Sequence, residues 1–373
     1  MPRKIILVIL LFFSVMALGA AEMKSGEKKA VRWTVVPGPF YNPNLGLGIQ
    51  VLPLASYPLN PSDKASPPSV TAGFFLVAKP DWGIPEWTFI GGIAQKFFWN
   101  RDNWRGNINA GGASVLFKQY KSGNLPGDEN PSVWAVRDGF FSKAGLKRRI
   151  WNRLYGGVNY SFQYYQIRGR TSVDQDFLDA IGFTRGWQFQ SMPGIELFWD
   201  SRDNQFSATK GIQGSLKADF GATWLGGDNN YTLMNGLYTQ YHSFDPDSKH
   251  ILAWYYQLKT GFGDVPRDKY SRIGGGRSGG LRGYISGEFE DKSSMEAQIE
   301  YRLMATPRFG GVVFAGVGTI FGEAYPFMQG PYLPAGGFGV RFAVIPERRI
   351  NARLDFAWGI DSFAVYFALG EAF

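Results

Sequence analysis

Cysteine is absent from the 373 residues, and histidine occurs only as His242 and His250. Without thiols there is no disulfide scaffold and no thiolate metal site. Two histidines do not supply a metal centre either. A lipase-like centre would need a Ser–His pair with an orienting third group. Ser243 follows His242 directly, and consecutive strand residues point to opposite faces, so the pair does not meet. Long apolar runs are scarce as well. Ile5 to Leu18 spans 14 residues, short of the about 18 to 20 that a membrane-crossing helix requires. After it no apolar run reaches that length. Gly274, Gly276 and Gly279 match a dinucleotide-binding fingerprint in spacing. That motif opens a helix, and here a Leu-Arg-Gly-Tyr sequence and another strand follow. These absences leave no enzyme, cofactor, metal or nucleic-acid reading.

What is present is glycine, aromatics and alternation. Gly numbers 48, and aromatics make up 16% of the chain. Arg3 and Lys4, the apolar run and Gly19-Ala20-Ala21 form a secretory leader over residues 1–21. Residues 22–30 are a short polar segment, expected in the periplasm. In Met295-Glu296-Ala297-Gln298-Ile299-Glu300-Tyr301-Arg302-Leu303, odd positions are apolar and even ones polar. Ile212 to Phe220 and Val158 to Tyr164 alternate in the same way. Period two describes a strand with two environments, here lipid on one face and a wet interior on the other. An exported chain of this kind, with no helical span, reads as an all-β outer-membrane barrel over residues 31–373. A soluble sandwich fits less well, because its strands average about five or six residues.

Strands are expected at 31–40, 46–57, 69–79, 87–99, 104–121, 133–149, 152–168, 187–199, 211–224, 230–244, 251–264, 295–305, 309–321, 336–345, 350–358 and 361–373. Sixteen strands leave about 22 residues for each strand and its connection, enough for the about 9–11 that cross the membrane. Short turns at 149–152, 245–249 and 346–349 alternate with long connections at 122–132, 171–186, 265–294 and 322–335. Barrels place short turns in the periplasm and long loops outside, so both termini are expected in the periplasm. Trp99, Trp104, Trp151, Trp187, Trp199 and Trp224 fall at strand ends, as interfacial girdles do. The net charge of +8 suits lipid phosphates or an acidic partner, but reads most simply as solvated loops and a charged lumen. The cluster Lys147-Arg148-Arg149 with Arg153 reads as a solvated turn.

Three stretches resemble one family. Gly279-Gly280-Leu281-Arg282-Gly283-Tyr284 is similar to the [VIL]-R-G-[FY] signature in the long sixth extracellular loop of the BamA/TamA/FhaC superfamily, also called the bacterial surface antigen family. Asp200-Ser201-Arg202-Asp203-Asn204, closed by Gly211, resembles that family's periplasmic D-[TS]-R-D-N turn, with Ala208 where proline is usual. Glu300-Tyr301-Arg302 resembles the E-[YF]-R of the strand after the loop. The apolar alternation ending in Tyr366, Phe367, Leu369 and Phe373 resembles the final-strand signal read by the barrel-assembly machinery.

The resemblance implies a sixteen-stranded barrel with the long loop folded into the lumen. Gly316 stands where the family carries an aspartate that receives the loop arginine. A guanidinium buried with no carboxylate is costly, so Glu296 and Glu300 on the neighbouring strand are the expected acceptors. Family members that insert or secrete proteins carry periplasmic polypeptide-transport-associated (POTRA) domains. Residues 22–30 cannot hold a domain of at least about 50 residues, so a barrel-only member is expected. The implied function is non-enzymatic: membrane-protein assembly, or protein or lipid translocation, through a weak seam between first and last strands. Pro37 and Pro39 remove backbone donors from that first strand. A passive channel for small molecules, or a surface receptor or anchor, is the alternative. Expected partners are outer-membrane lipid, the assembly machinery and a separate periplasmic protein.

Overall fold

The computed structural model describes residues 31–80, 83–205, 207–276, 280–346 and 349–373. The leader, the segment 22–30 and Gly279 of the loop motif lie outside the described residues. The barrel begins with β1 (Arg32–Asn42), β2 (Gly46–Tyr57), β3 (Ser69–Lys79), β4 (Thr88–Trp99), β5 (Trp104–Tyr120) and β6 (Ser132–Trp151). It continues through β7 (Leu154–Gly169), β8 (Trp187–Asp200), β9 (Gly211–Gly221), β10 (Tyr231–Ser243) and β11 (His250–Gly263). β12 (Ser271–Arg272) and β13 (Glu290–Asp291) pair with each other inside the long connection that follows. β14 (Ser293–Met304), β15 (Phe309–Phe321), β16 (Leu333–Ile345), β17 (Ile350–Gly359) and β18 (Ser362–Leu369) complete the barrel. Each barrel strand pairs antiparallel with its neighbour and the ring closes on itself, giving sixteen strands. A single α-helix, α1 (Ser172–Ala180), stands in the β7–β8 connection, among the described residues. Thr171 caps it reciprocally with Asp174.

Alternation carries the fold. Val158, Ile195, Leu216, Ile299 and Val313 all lie exposed on the outer face. Their strand neighbours Asn159, Gly194, Ser215, Gln298 and Val312 face inward by register. An apolar band running round a molecule in water would cost roughly 25 cal/mol for each Å² left exposed; against lipid it costs nothing. Tryptophans mark its edges. Trp99 and Trp104 stack across the β4–β5 turn with ring centroids 6.3 Å apart. Trp187 stacks on Tyr164 at 4.7 Å near the opposite rim.

Three expectations shift. β9 stops at Gly221, because Thr223–Leu225 forms a 3-10 turn whose Thr223 N–H donates to the Asn230 side chain at 3.0 Å. β16 starts at Leu333, three residues earlier than expected. β18 ends at Leu369, because Gly370 takes a left-handed φ of 86° and turns the chain into the lumen. Phe373 therefore does not close a final strand. Its ring packs edge-on against Tyr255, with centroids 4.8 Å apart, beside Ala208 and Tyr241.

The seam differs from the rest of the wall. β1 and β18 meet at one register pair among the described residues, Tyr41 with Phe367. β5 and β6, by contrast, pair continuously from Trp104 with Arg148 to Tyr120 with Ser132. Pro37 and Pro39 sit on β1 beside this thin junction.

Candidate functional site: a loop tip held by buried ion pairs

The connection from β11 to β14 enters the lumen. Ile273, Leu281, Tyr284 and Phe289 pack there against Ile320 and Leu333. Glycines permit the path at two close approaches. At Gly276, with φ 58°, a Cβ would meet the Arg282 and Tyr366 side chains at 2.9 Å. At Gly283, with φ 110°, it would meet the Trp358 carbonyl oxygen at 2.9 Å. Only glycine adopts both conformations readily.

Arg282 has no exposed surface. Its guanidinium pairs with Glu300 on β14 and, at 2.8 Å, with Asp355 on β17. It also lies 3.5 Å from the centroid of the Phe314 ring. The pairs form part of a larger network. Asp355 also accepts from Arg341 at 2.5 Å and Arg353 at 3.0 Å. Glu300 accepts from Arg302 at 2.5 Å. Glu371, carried inward by the turn at Gly370, accepts from Arg341 and Asn351 at 2.7 Å. Each carboxylate serves more than one donor, which is the arrangement a buried charge requires.

Of the two expected acceptors, Glu300 takes the loop arginine and Glu296 does not. Glu296 accepts the Leu281 backbone N–H at 2.8 Å and pairs with Lys259 at 3.4 Å. It holds the residue next to the arginine. Asp355 was not expected. It lies 73 residues further along the chain, and no local pattern in the sequence marks it. The lumen parity of β17 is the one signal that could have found it. Gly316 makes room for the loop: a Cβ there would meet the Leu281 Cδ1 at 2.7 Å. A side chain at that position would have to displace the Leu281 side chain before it could approach the arginine.

The loop also bonds to the seam strand β18 and to the turn that follows β1. The Gly283 N–H donates to the Tyr366 hydroxyl on β18 at 3.1 Å. Ser286 exchanges two hydrogen bonds with Asn44, in the turn after β1, at 2.8 and 3.1 Å. Tyr284 donates to the Pro334 carbonyl at 2.6 Å and accepts from the Ile360 N–H at 3.0 Å. Tyr366 faces the loop, whereas Phe367 and Leu369 belong to an apolar cluster with Leu354 and Val365.

The turn after β8 folds as a compact unit. Arg202 donates to Asp200 at 3.0 Å, and Arg105 reaches the same carboxylate at 3.3 Å. Asn204 accepts the Ser207 N–H at 3.0 Å. Gly211 has φ 105°, and a Cβ there would lie 2.3 Å from the Ser201 carbonyl oxygen. Asp203 accepts from Thr209 at 2.8 and 2.9 Å and from Arg349 at 2.6 Å. Burial alone would raise its pKa. The Thr209 backbone bond, the Arg349 guanidinium and further bonds from Thr209 and Lys210 outweigh that and lower it to about 2. Asp203 thereby ties the β8–β9 turn to the β16–β17 turn. His242 and His250 flank the β10–β11 turn, His250 within 2.5 Å of the Tyr301 hydroxyl and His242 edge-on to Phe244.

Comparison with known proteins agrees with this geometry. The Omp85 superfamily domain matches residues 105–373. The fold is similar to that of BamA from Haemophilus ducreyi lacking POTRA domains 1–3, with a TM-score of 0.59 at 10% identity. That match covers 92% of this chain and 70% of that one. CdiB from Acinetobacter baumannii is similar with a TM-score of 0.58 at 12% identity, over 92% of this chain and 60% of that one. Identities this low show the fold alone. No curated protein matches in sequence. The described residues fold as a barrel without a POTRA-like domain. With the matched domain spanning more than half of its length, this chain belongs to the Omp85 superfamily of outer-membrane β-barrels.

Proposed function

We propose that this barrel assists the insertion or translocation of other polypeptides by opening its seam, and that the lumenal loop holds the seam shut from inside. The observation that carries the reading is the contrast at the junction. Among the described residues β1 and β18 share one register pair, yet the loop bonds to Asn44 beside β1 and to Tyr366 on β18. Backbone pairing there is thin, and a side-chain clasp bridges it. Arg282 anchors the clasp to β14 and β17, strands on the β18 side of the junction. Releasing the clasp would free an unpaired β1 edge, and an exposed edge is a template for an incoming strand. BamA and CdiB, the similar structures, fit this class of work. In this reading the long loops lie outside the cell and the short turns in the periplasm, and a separate periplasmic protein delivers clients.

The test is assisted folding. Purified protein in liposomes receives an unfolded small barrel, whose insertion is followed with wild type and Arg282→Ala. Acceleration by wild type that the variant alters supports the reading. No acceleration by wild type would move the function to a channel or an anchor, and bilayer conductance would separate those two.

A further inference from the structure

We infer that the outer face of β5–β7, at the long-loop rim, is a binding site for the phosphates of lipid headgroups. The inference rests on the reading that the chain spans a membrane. On these strands the outward positions change character along their length. Ile108, Phe140, Val158 and Tyr164 are exposed and apolar. Nearer the loops the same faces carry Lys118, Asp138 and Arg168, with Arg170 just beyond β7. Trp134 is flanked on both sides. Lys118 pairs with it in register and holds its ammonium 5.5 Å from the ring centroid. Arg170 donates its backbone N–H to the Trp134 carbonyl at 3.3 Å. Arg168 sits opposite Val136, the next outward residue on β6, which Ile84 of the β3–β4 connection covers together with Leu116.

Lys118 thus lies at the Trp134 ring, with Arg168 and Arg170 at the adjoining β7 end, just above the apolar band, where headgroups lie. Strands β5, β6 and β7 run to 17, 20 and 16 residues, well beyond the about 9–11 needed to cross, so they lift these groups to headgroup height. Arg168 pairs with Asp138 at 3.2 Å and Arg170 with Glu86 at 3.0 Å. Both contacts are made through Nε, and a guanidinium has five donors, so its terminal groups suit a phosphate's oxygens. Lys118 is exposed. Other sectors differ. At the loop-side ends of β9, β10, β11, β17 and β18 the outward residues include Phe220, Met234, Phe262, Trp358 and Phe363, with no lysine or arginine among the described outward positions. The cationic rim is therefore local, as a site is and a general solubilising surface is not.

The experiment uses the full chain in neutral detergent, titrated with phosphatidylglycerol, with diacylglycerol and with inorganic phosphate, and read by native mass spectrometry. Gel mobility before and after heating confirms that each variant is folded. Wild type retains phosphatidylglycerol and not diacylglycerol. The variant Lys118→Gln/Arg168→Gln/Arg170→Gln loses retention by about fivefold per cation, compounding to roughly a hundredfold at low salt. Lys249→Gln, in the β10–β11 turn, retains lipid as wild type does. Equal retention by wild type and the triple variant overturns the site. Competition by inorganic phosphate as strong as by the lipid overturns the lipid source. A wild type that does not enter liposomes fails the membrane reading itself.

Discussion

Replacing Asp355 by Asn should destabilise the barrel more than any other single change in the lumen. Four guanidiniums, from Arg282, Arg302, Arg341 and Arg353, face three carboxylates, from Glu300, Asp355 and Glu371. Asp355 serves three of the four. Without its charge Arg282 keeps Glu300 and Arg341 keeps Glu371, but Arg353 keeps only the Gly276 carbonyl at 2.8 Å. Breaking a buried pair by removing one partner costs about 3–5 kcal/mol, and the upper end applies because three pairs weaken together. Arg282→Gln leaves three guanidiniums against three carboxylates, so its cost should be smaller, about 1–3 kcal/mol from its lost hydrogen bonds. Removing Arg353 as well, in Asp355→Asn/Arg353→Gln, takes away the worst-orphaned charge and should recover part of the loss, with a coupling of about 0.5–3 kcal/mol. The assay is urea unfolding in detergent micelles, followed by tryptophan fluorescence and gel mobility. If Asp355→Asn costs no more than Arg282→Gln, or the second substitution adds its full separate cost, the network does not work as described.

Further predictions concern the loop, the turn and the seam. Gly316→Ala places a methyl group against Leu281 at 2.7 Å and the Ala297 carbonyl at 2.6 Å; it should cost about 1–3 kcal/mol in the same unfolding assay. Gly316→Asp should not rescue Asp355→Asn, because its carboxylate would first have to displace the Leu281 side chain. Tyr366→Phe removes the acceptor for Gly283 and should raise amide exchange at residues 283–286 while leaving β5–β7 protected. Asp203 has its pKa lowered to about 2 from the ordinary 3.8. The stability it lends the β8–β9 turn is therefore complete above the unfolded value and is lost as pH falls from about 4 toward 2. Pepsin cleavage within 203–210 should increase over that window, and Arg349→Ala should move the onset to higher pH.

Much of the barrel was legible because alternation is a local property. Residues 212–220 and 295–303 state which face each side chain takes, and tryptophans state where the lipid ends. Boundaries failed where a conformation overrode the pattern, as at Gly370, whose positive φ sends an apolar C-terminal stretch inward. The loop arginine was legible from its motif, and Glu300 from its parity on the next strand. Glu296 was misread because parity places a carboxylate in the lumen without saying which donor is nearest; the Leu281 N–H reached it first. Asp355 was out of reach because its partnership depends on how β17 comes round the ring to face β14. The seam register was likewise hidden. Alternation does not say which residue of β1 meets the last strand, and the structure sets Phe367 opposite Tyr41.

That register supplies the most direct test of the central claim. Tyr41→Cys/Phe367→Cys places two thiols at directly opposed strand positions, within the Cα separation of about 4.4–6.8 Å that a disulfide spans. The chain's own lack of cysteine leaves no competing thiol. The measurement is assisted insertion of a small unfolded barrel by this variant, oxidised and then reduced in the same liposomes. The account predicts acceleration when reduced and its loss when oxidised. Equal acceleration in both states, with the crosslink verified, would contradict it.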